Sequence, residues 1–163
     1  MNRVTLILVL TMTVLLGSSG VCWSADLQKG LAAYSRGDYA TALEEWTPLA
    51  EQGNAPAQNN LGFMYRNGRG VPQDDQTAVK WYTLAAEQGY ALAQGNLGVM
   101  YAFGEGKLKD YVYAHMWGNI AALNGNELGG KLRDDYEKQM TAEQIADAQK
   151  LARECAAKNY KNC

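Results

Sequence analysis

Basic charge, histidine and phenylalanine are scarce in this chain, and each shortage removes a class of function or a way of packing. Fifteen Lys and Arg face seventeen Asp and Glu, a net charge of -2, so no basic field exists to draw in a nucleic-acid backbone. One histidine, His115, leaves little from which to assemble a metal centre or an acid-base pair. No Ser-x-x-Lys occurs, which removes the serine machinery that recognises penicillins. With 2 Phe against 10 Tyr, 4 Trp and 17 Gly, packing must rely on amphipathic aromatics and close backbone approach.

A long apolar run is also missing. The most apolar stretch near the N-terminus is Val4 to Leu16, thirteen uncharged residues behind Arg3. As a helix it spans about 20 Å, too short for a comfortable bilayer crossing and suited to the apolar core of a signal peptide. Cleavage is expected after Ser24 or Ala25, with an uncleaved anchor or a lipoprotein attached through Cys22 as the alternatives. The mature chain is then expected to be periplasmic or secreted, without stable membrane insertion.

Cleavage leaves Cys155 and Cys163. An even pair in an exported chain reads as a disulfide, with two free thiols as the alternative. Eight steps along a continuous helix separate two Cα atoms by about 12 Å, beyond the roughly 7 Å that a bridge tolerates. A bridge therefore requires a turn in "CAAKNYKNC", where Asn159 can take the left-handed conformation that ends a helix.

What the chain has in abundance is repetition. Leu61, Gly62, Met64, Tyr65, Gly68, Gly70, Ala78, Trp81, Ala85, Ala86 and Gly89 all recur 36 residues later, from Leu97 to Gly125. The latter half of the pattern also stands upstream, where Ala42, Trp46, Ala50 and Gly53 precede Ala78, Tyr82, Ala86 and Gly89 by the same interval. A fixed period of this size predicts a stack of one supersecondary unit. Ala57, Leu61 and Tyr65 keep a spacing of four, while Ala78, Tyr82 and Ala85 keep threes and fours, so each unit contains two helices. Between them, "NGRGVPQDD" supplies glycines for positive φ, Pro72 to disfavour helix at Val71, and Asp74 or Asp75 as a cap. Gly62 and Ala78 are expected where paired helices touch, and Tyr65 and Trp81 between successive pairs.

The tail breaks the pattern. Thr141 and Gln144 form a capping box ahead of a helix whose apolar stripe is Ile145, Ala148, Leu151, Ala152 and Cys155. The expected organisation is a signal peptide over 1–24, a first helix pair over 25–54, full repeats over 55–90 and 91–126, and a degenerate capping helix pair over 127–163.

The chemistry-bearing residues do not form a catalytic constellation. His115 has no Ser or Cys near it in sequence and reads as a surface or interface residue. The Gly68-Arg-Gly70 and Gly104-Glu-Gly106 loops follow helices and lack a Lys-Ser or Lys-Thr ending, so they read as turns rather than phosphate cradles. Glu44-Glu45, Asp74-Asp75 and Asp134-Asp135 are adjacent pairs that point about 100° apart on a helix and read as caps and solvated positions. No catalytic residue, metal or cofactor is expected.

The stretches "A-x-A-Q-x-x-L-G-x-x-Y" at 55–65 and 91–101, with Gly-x-Gly loops and "A-A-E-Q-G" or its variant behind them, resemble Sel1-like repeats, relatives of the tetratricopeptide repeats. In the first unit Gly30 reaches Ala42 in twelve steps where Gly62 reaches Ala78 in sixteen, so that unit resembles the shorter tetratricopeptide form. The resemblance implies an all-α, right-handed solenoid of antiparallel helix pairs whose first helices line a concave groove. The groove positions it implies are Leu27, Leu31 and Tyr34, then Asn59, Phe63 and Arg66, then Gly95, Val99 and Ala102. Leu31, Phe63 and Val99 would accept apolar side chains, Asn59 backbone amides and Arg66 a carboxylate. The expected partner is a protein or peptide; the alternatives are a β-lactam or cell-wall-fragment binder or hydrolase, and an accessory subunit of an envelope complex.

Overall fold

The structure, a computed structural model, describes residues 25–106 and 109–163. The expected signal peptide and Cys22 lie outside the described residues. Those residues form eight helices and no strand: α1 (Leu27–Ser35), α2 (Tyr39–Glu51), α3 (Ala55–Asn67), α4 (Asp75–Ala86), α5 (Ala91–Phe103), α6 (Tyr111–Leu123), α7 (Glu127–Glu137) and α8 (Ala142–Ala157).

Local chemistry sets the starts of most of these helices. Asp26, Asp38, Asn54, Asp74, Asp110 and Asn126 each accept a first-turn N–H, so orphan donors are satisfied before tertiary packing begins. Thr141 and Gln144 bond reciprocally in the expected capping box. Only α5 starts without a side-chain cap, behind Tyr90.

Helices α1–α2, α3–α4 and α5–α6 pair, and each pair stacks on the next through α2 with α3, α4 with α5, and α6 with α7. Two principal cores result. One gathers Ala33, Trp46, Ala57, Leu61 and Met64 between the first two pairs; the other gathers Tyr82, Leu97, Met100, Met116, Trp117 and Ile120 further along. Trp81 packs back against the first core and Tyr65 forward against the second, so both bridge successive units as the spacing predicts.

Within each pair a glycine of the first helix faces one recurring position of the second. A Cβ on Gly30 would lie 2.2 Å from the Trp46 ring, and one on Gly62 would lie 2.7 Å from the Tyr82 ring. In the third pair this position is Gly118, and a Cβ on Gly98 would meet the Ala114 carbonyl at 3.1 Å and the Gly118 nitrogen at 3.4 Å. The ring has gone and the two backbones close up in its place.

A polar ladder ties the units together on the buried side. Gln58 Nε2 donates to the Ala50 carbonyl (3.0 Å) while its Oε1 accepts from Gln88 Nε2 (2.7 Å). One period later, Gln94 Nε2 donates to the Ala86 carbonyl (3.1 Å) and its Oε1 accepts from Asn124 Nδ2 (2.9 Å). In the fourth unit this position is Gly130, where the ladder stops. Gln94→Ala should therefore destabilise the fold by about 1–3 kcal/mol, because it strands a carbonyl in a dry interior. Urea unfolding followed by circular dichroism measures this, and a change under about 0.5 kcal/mol would show that the ladder contributes little.

The last segment differs from the expected capping pair. Helix α7 stacks on α6 and α5 as the first helix of a new unit would, but α8 does not lie along α7. It folds back onto α6, where Ala152 and Cys155 join Met116 and Trp117 in the second core. The reason is shape: α7 lies so close to α6 that a Cβ on Gly129 would stand 2.7 Å from that of Ala121, while small residues on α8 fit the face of α6 beside Trp117. Beyond α8 the chain turns through Asn159 (φ 51°), and Cys155 and Cys163, their Cα atoms 5.4 Å apart, are bonded.

Candidate partner-binding groove

Leu31 and Tyr34 lie three residues apart on α1, and Asn59 and Phe63 four apart on α3, so each pair shares one helix face. Stacking of the first two units brings those faces together around a shallow cleft of about 220 Å³, lined by Leu31, Tyr34, Trp46, Asn59, Asn60 and Phe63. Leu31 and Phe63 are 41% and 42% exposed. Tyr34 forms the wall between them, stacked on Trp46 at 5.7 Å and meeting the Phe63 ring edge-on at 6.2 Å. Apolar area is thus held open to solvent by rings braced from behind.

The polar positions behave differently from expectation. Asn59 is only 8% exposed, and its Oδ1 accepts from Asn96 Nδ2 at 3.0 Å, so that oxygen ties α3 to α5. The neighbouring Asn60, which sequence reasoning passed over, lines the cleft. Its signal was available, since Asn60 and Asn96 occupy the same position of successive repeats. Arg66, expected to meet a partner's carboxylate, already holds one: its Nε lies 2.7 Å from Glu105 Oε2 and its Nη2 3.3 Å from Oε1. Glu105 and Arg69 are the middle residues of the two Gly-x-Gly loops, and both reach back toward the preceding unit, Arg69 donating to the Tyr39 hydroxyl. These loops are couplers between units as well as turns.

Val99 stands apart from the cleft, in a smaller depression of about 70 Å³ between α5 and α7 that Leu92, Asn96, Leu128 and Leu132 also line. Of the other implied groove positions, Leu27 packs against the first core and Ala102 is buried against Tyr136. Gly95 lacks a side chain where the Asn126 amide passes, 2.9 Å from where its Cβ would sit. The structure thus gathers Leu31, Tyr34, Asn59 and Phe63, and separates Arg66 and Val99 from them.

Titratable groups outside the cleft serve the scaffold. His115 is fully buried at the junction of α6 and α7, its Nε2 2.8 Å from Glu137 Oε1, an interface residue rather than a surface one. Burial pushes the Tyr82 phenol up, and pushes that of Tyr136 up to about 12, so both stay neutral hydroxyls at ordinary pH. The Lys29 amine and the Asp26 N–H hold the Glu45 carboxyl below its usual range. Among the described residues no three His, Cys, Asp or Glu side chains converge on a common point, and no helix is long and apolar enough to cross a membrane.

Comparison with known proteins agrees with this architecture. No curated protein matches the chain. Among solved structures, a protective antigen present in uropathogenic Escherichia coli strains and displaying an SLR fold is 33% identical, with a TM-score of 0.75 over 80% of this chain and 30% of that one. A Sel1 repeat protein from Oxalobacter formigenes is 34% identical, with a TM-score of 0.63 over 66% of this chain and 44% of that one. The chain therefore spans less than half the length of either. Sel1 repeat scaffolds typically mediate protein–protein interaction and are generally non-catalytic. The Sel1 repeat family matches residues 55–90 and 91–126, the α3–α4 and α5–α6 pairs, so the chain carries two Sel1 repeats.

Proposed function

We propose that this protein is a non-catalytic adaptor, exported to the periplasm or secreted, that captures a segment of a partner protein along the face formed by α1 and α3. The observation that carries the reading is the cleft itself: Leu31 and Phe63 stay exposed beside a braced Tyr34. Such a wall loses little freedom on binding, so most of the ordering entropy falls on the incoming segment. Arg66 and Glu105 neutralise each other, so the partner needs no compensating charge at that position. Export is supported by the Arg3-led apolar run and by the paired Cys155 and Cys163.

A photo-crosslinking residue in place of Phe63, compared with one in place of the exposed Lys150, tests the face in living cells. Crosslinks to one defined protein are expected at position 63 and not at 150. With that protein purified, the double variant Leu31→Ala, Phe63→Ala should bind it at least about tenfold more weakly, since truncating a central anchor commonly removes more than 1 kcal/mol. Melting should be unchanged. Equal crosslinking at both positions, or equal affinity of the double variant, would place the contact elsewhere.

A further inference from the structure

We propose that residues 158–163 form a redox-held strap, fastened across a crevice between α4 and α6 by the Cys155–Cys163 bond and released when a dithiol reductant opens it. The segment is wound against its own preference. Asn159, Tyr160 and Asn162 have φ of 51°, 64° and 54°, a left-handed region that residues other than glycine rarely occupy, here three times within four positions.

Apart from the bond and the partly buried packing of Tyr160 and Cys163 against the second core, few groups hold the strap down. The Tyr160 hydroxyl donates to Asn124 Oδ1 at 3.1 Å, its ring rests on Gly89, and the Asn162 N–H donates to Glu87 Oε1 at 3.1 Å. Lys161 Nζ adds a contact of 3.8 Å to Glu87 Oε2. The lysine is solvent-exposed, where ion pairs contribute little. Nor does the strap fill the space beneath it. Cavities of about 160 and 280 Å³ flank it, and Asn162 and Cys163 are walls of both. Lifting the strap would merge them into one trough floored by Leu97, Tyr101, Tyr113, Met116 and Trp117. Tyr101 and Tyr113 are already stacked there, with centroids 5.2 Å apart.

The two sulfurs differ in access. Cys155 is 3% exposed in the core, whereas Cys163 is only partly buried. The thiolate of an incoming dithiol therefore attacks Cys163 Sγ, and the electron pair of the broken S–S bond leaves on Cys155 Sγ, which takes up a proton. The second thiolate of the reductant then closes onto its own mixed-disulfide sulfur and expels Cys163, which is protonated in turn. The protein gains two electrons and two protons, and the reductant departs as its disulfide. Cys155 stays seated in the core, and the strap is free.

Hydroxyl-radical footprinting of the full chain, oxidised and then reduced with dithiothreitol, tests this. Reduction should raise labelling of Trp117, Tyr101 and Tyr113 at least fivefold and amide exchange across 158–163 at least a hundredfold, with helicity and exchange in α1–α3 unchanged. The double variant Cys155→Ser, Cys163→Ser should show the same pattern without reductant. Tyr160→Ala, with the bond intact, should keep the trough protected. Identical footprints in the two redox states, loss of helicity throughout the chain on reduction, or opening in Tyr160→Ala alone would each overturn the proposal.

Discussion

Gly106→Ala should destabilise the protein by about 2–5 kcal/mol, from a backbone and a steric contribution at the same new Cβ. Gly106 has a φ of 68°, and a side chain in that region costs about 1–2 kcal/mol. The added Cβ would also lie 2.5 Å from the Asp75 carbonyl oxygen and 2.9 Å from the Gln76 nitrogen. These are backbone atoms in the first turn of α4, which Asp74 holds by accepting from the Thr77 N–H. No rotamer change relieves the contact, so the loop must lift away from α4. Overpacking of this kind typically costs about 1–3 kcal/mol. Glu105 moves with the loop, loosening its grip on Arg66. Gly125→Ala is the control: its φ is 92°, but nothing lies within 4 Å of the added carbon, so it should lose only the backbone contribution. Urea unfolding of the two variants compares them directly. Equal losses would mean that the loop does not rest on the preceding unit.

That loop marks where sequence reading succeeds and where it stops. The 36-residue period was legible because the sequence repeats itself outright; the two-helix unit, the Asp74 cap, the Thr141–Gln144 box and a turn at Asn159 were legible because each depends on residues within a few positions of one another. The convergence of Leu31, Tyr34, Asn59 and Phe63 was legible too, through helical spacing combined with the slots a resembling family uses. Contacts between units are another matter. Arg66 meets Glu105 across 39 positions, and no local rule specifies how far one unit slides along the next. The free guanidinium expected from sequence was therefore a paired one.

The fold-back of α8 escaped for a related reason. Its stripe of Ala148, Ala152 and Cys155 would suit the second helix of a fourth pair equally well, and what directs it to α6 is the surface there. In the same way, "A-x-A-Q" was legible as a motif while the role of its glutamine was not. Gln58 and Gln94 became meaningful only once the ends of α2 and α4 were seen beside them.

Tyr82 should be among the most costly single truncations in the fold, and its partner Gly62 makes the test specific. Tyr82 is fully buried, and removing an aromatic ring from such a site costs about 3–5 kcal/mol. Its hydroxyl has no hydrogen-bond partner, so Tyr82→Phe should be neutral or slightly stabilising, and the loss in Tyr82→Ala belongs to the ring. In the native chain Gly62→Ala forces a Cβ to within 2.7 Å of that ring, which strain of about 1–3 kcal/mol opposes despite a helix-propensity gain of about 1 kcal/mol. With Tyr82→Ala already present, the clash is gone and the propensity gain remains. Gly62→Ala should then reverse sign, destabilising the native chain but stabilising the truncated one by up to about 1 kcal/mol. A double-mutant cycle in urea measures the coupling. Strict additivity would mean that Gly62 is not where the two helices touch, and that the ring-on-glycine contact does not set the spacing within the pair that carries Asn59 and Phe63.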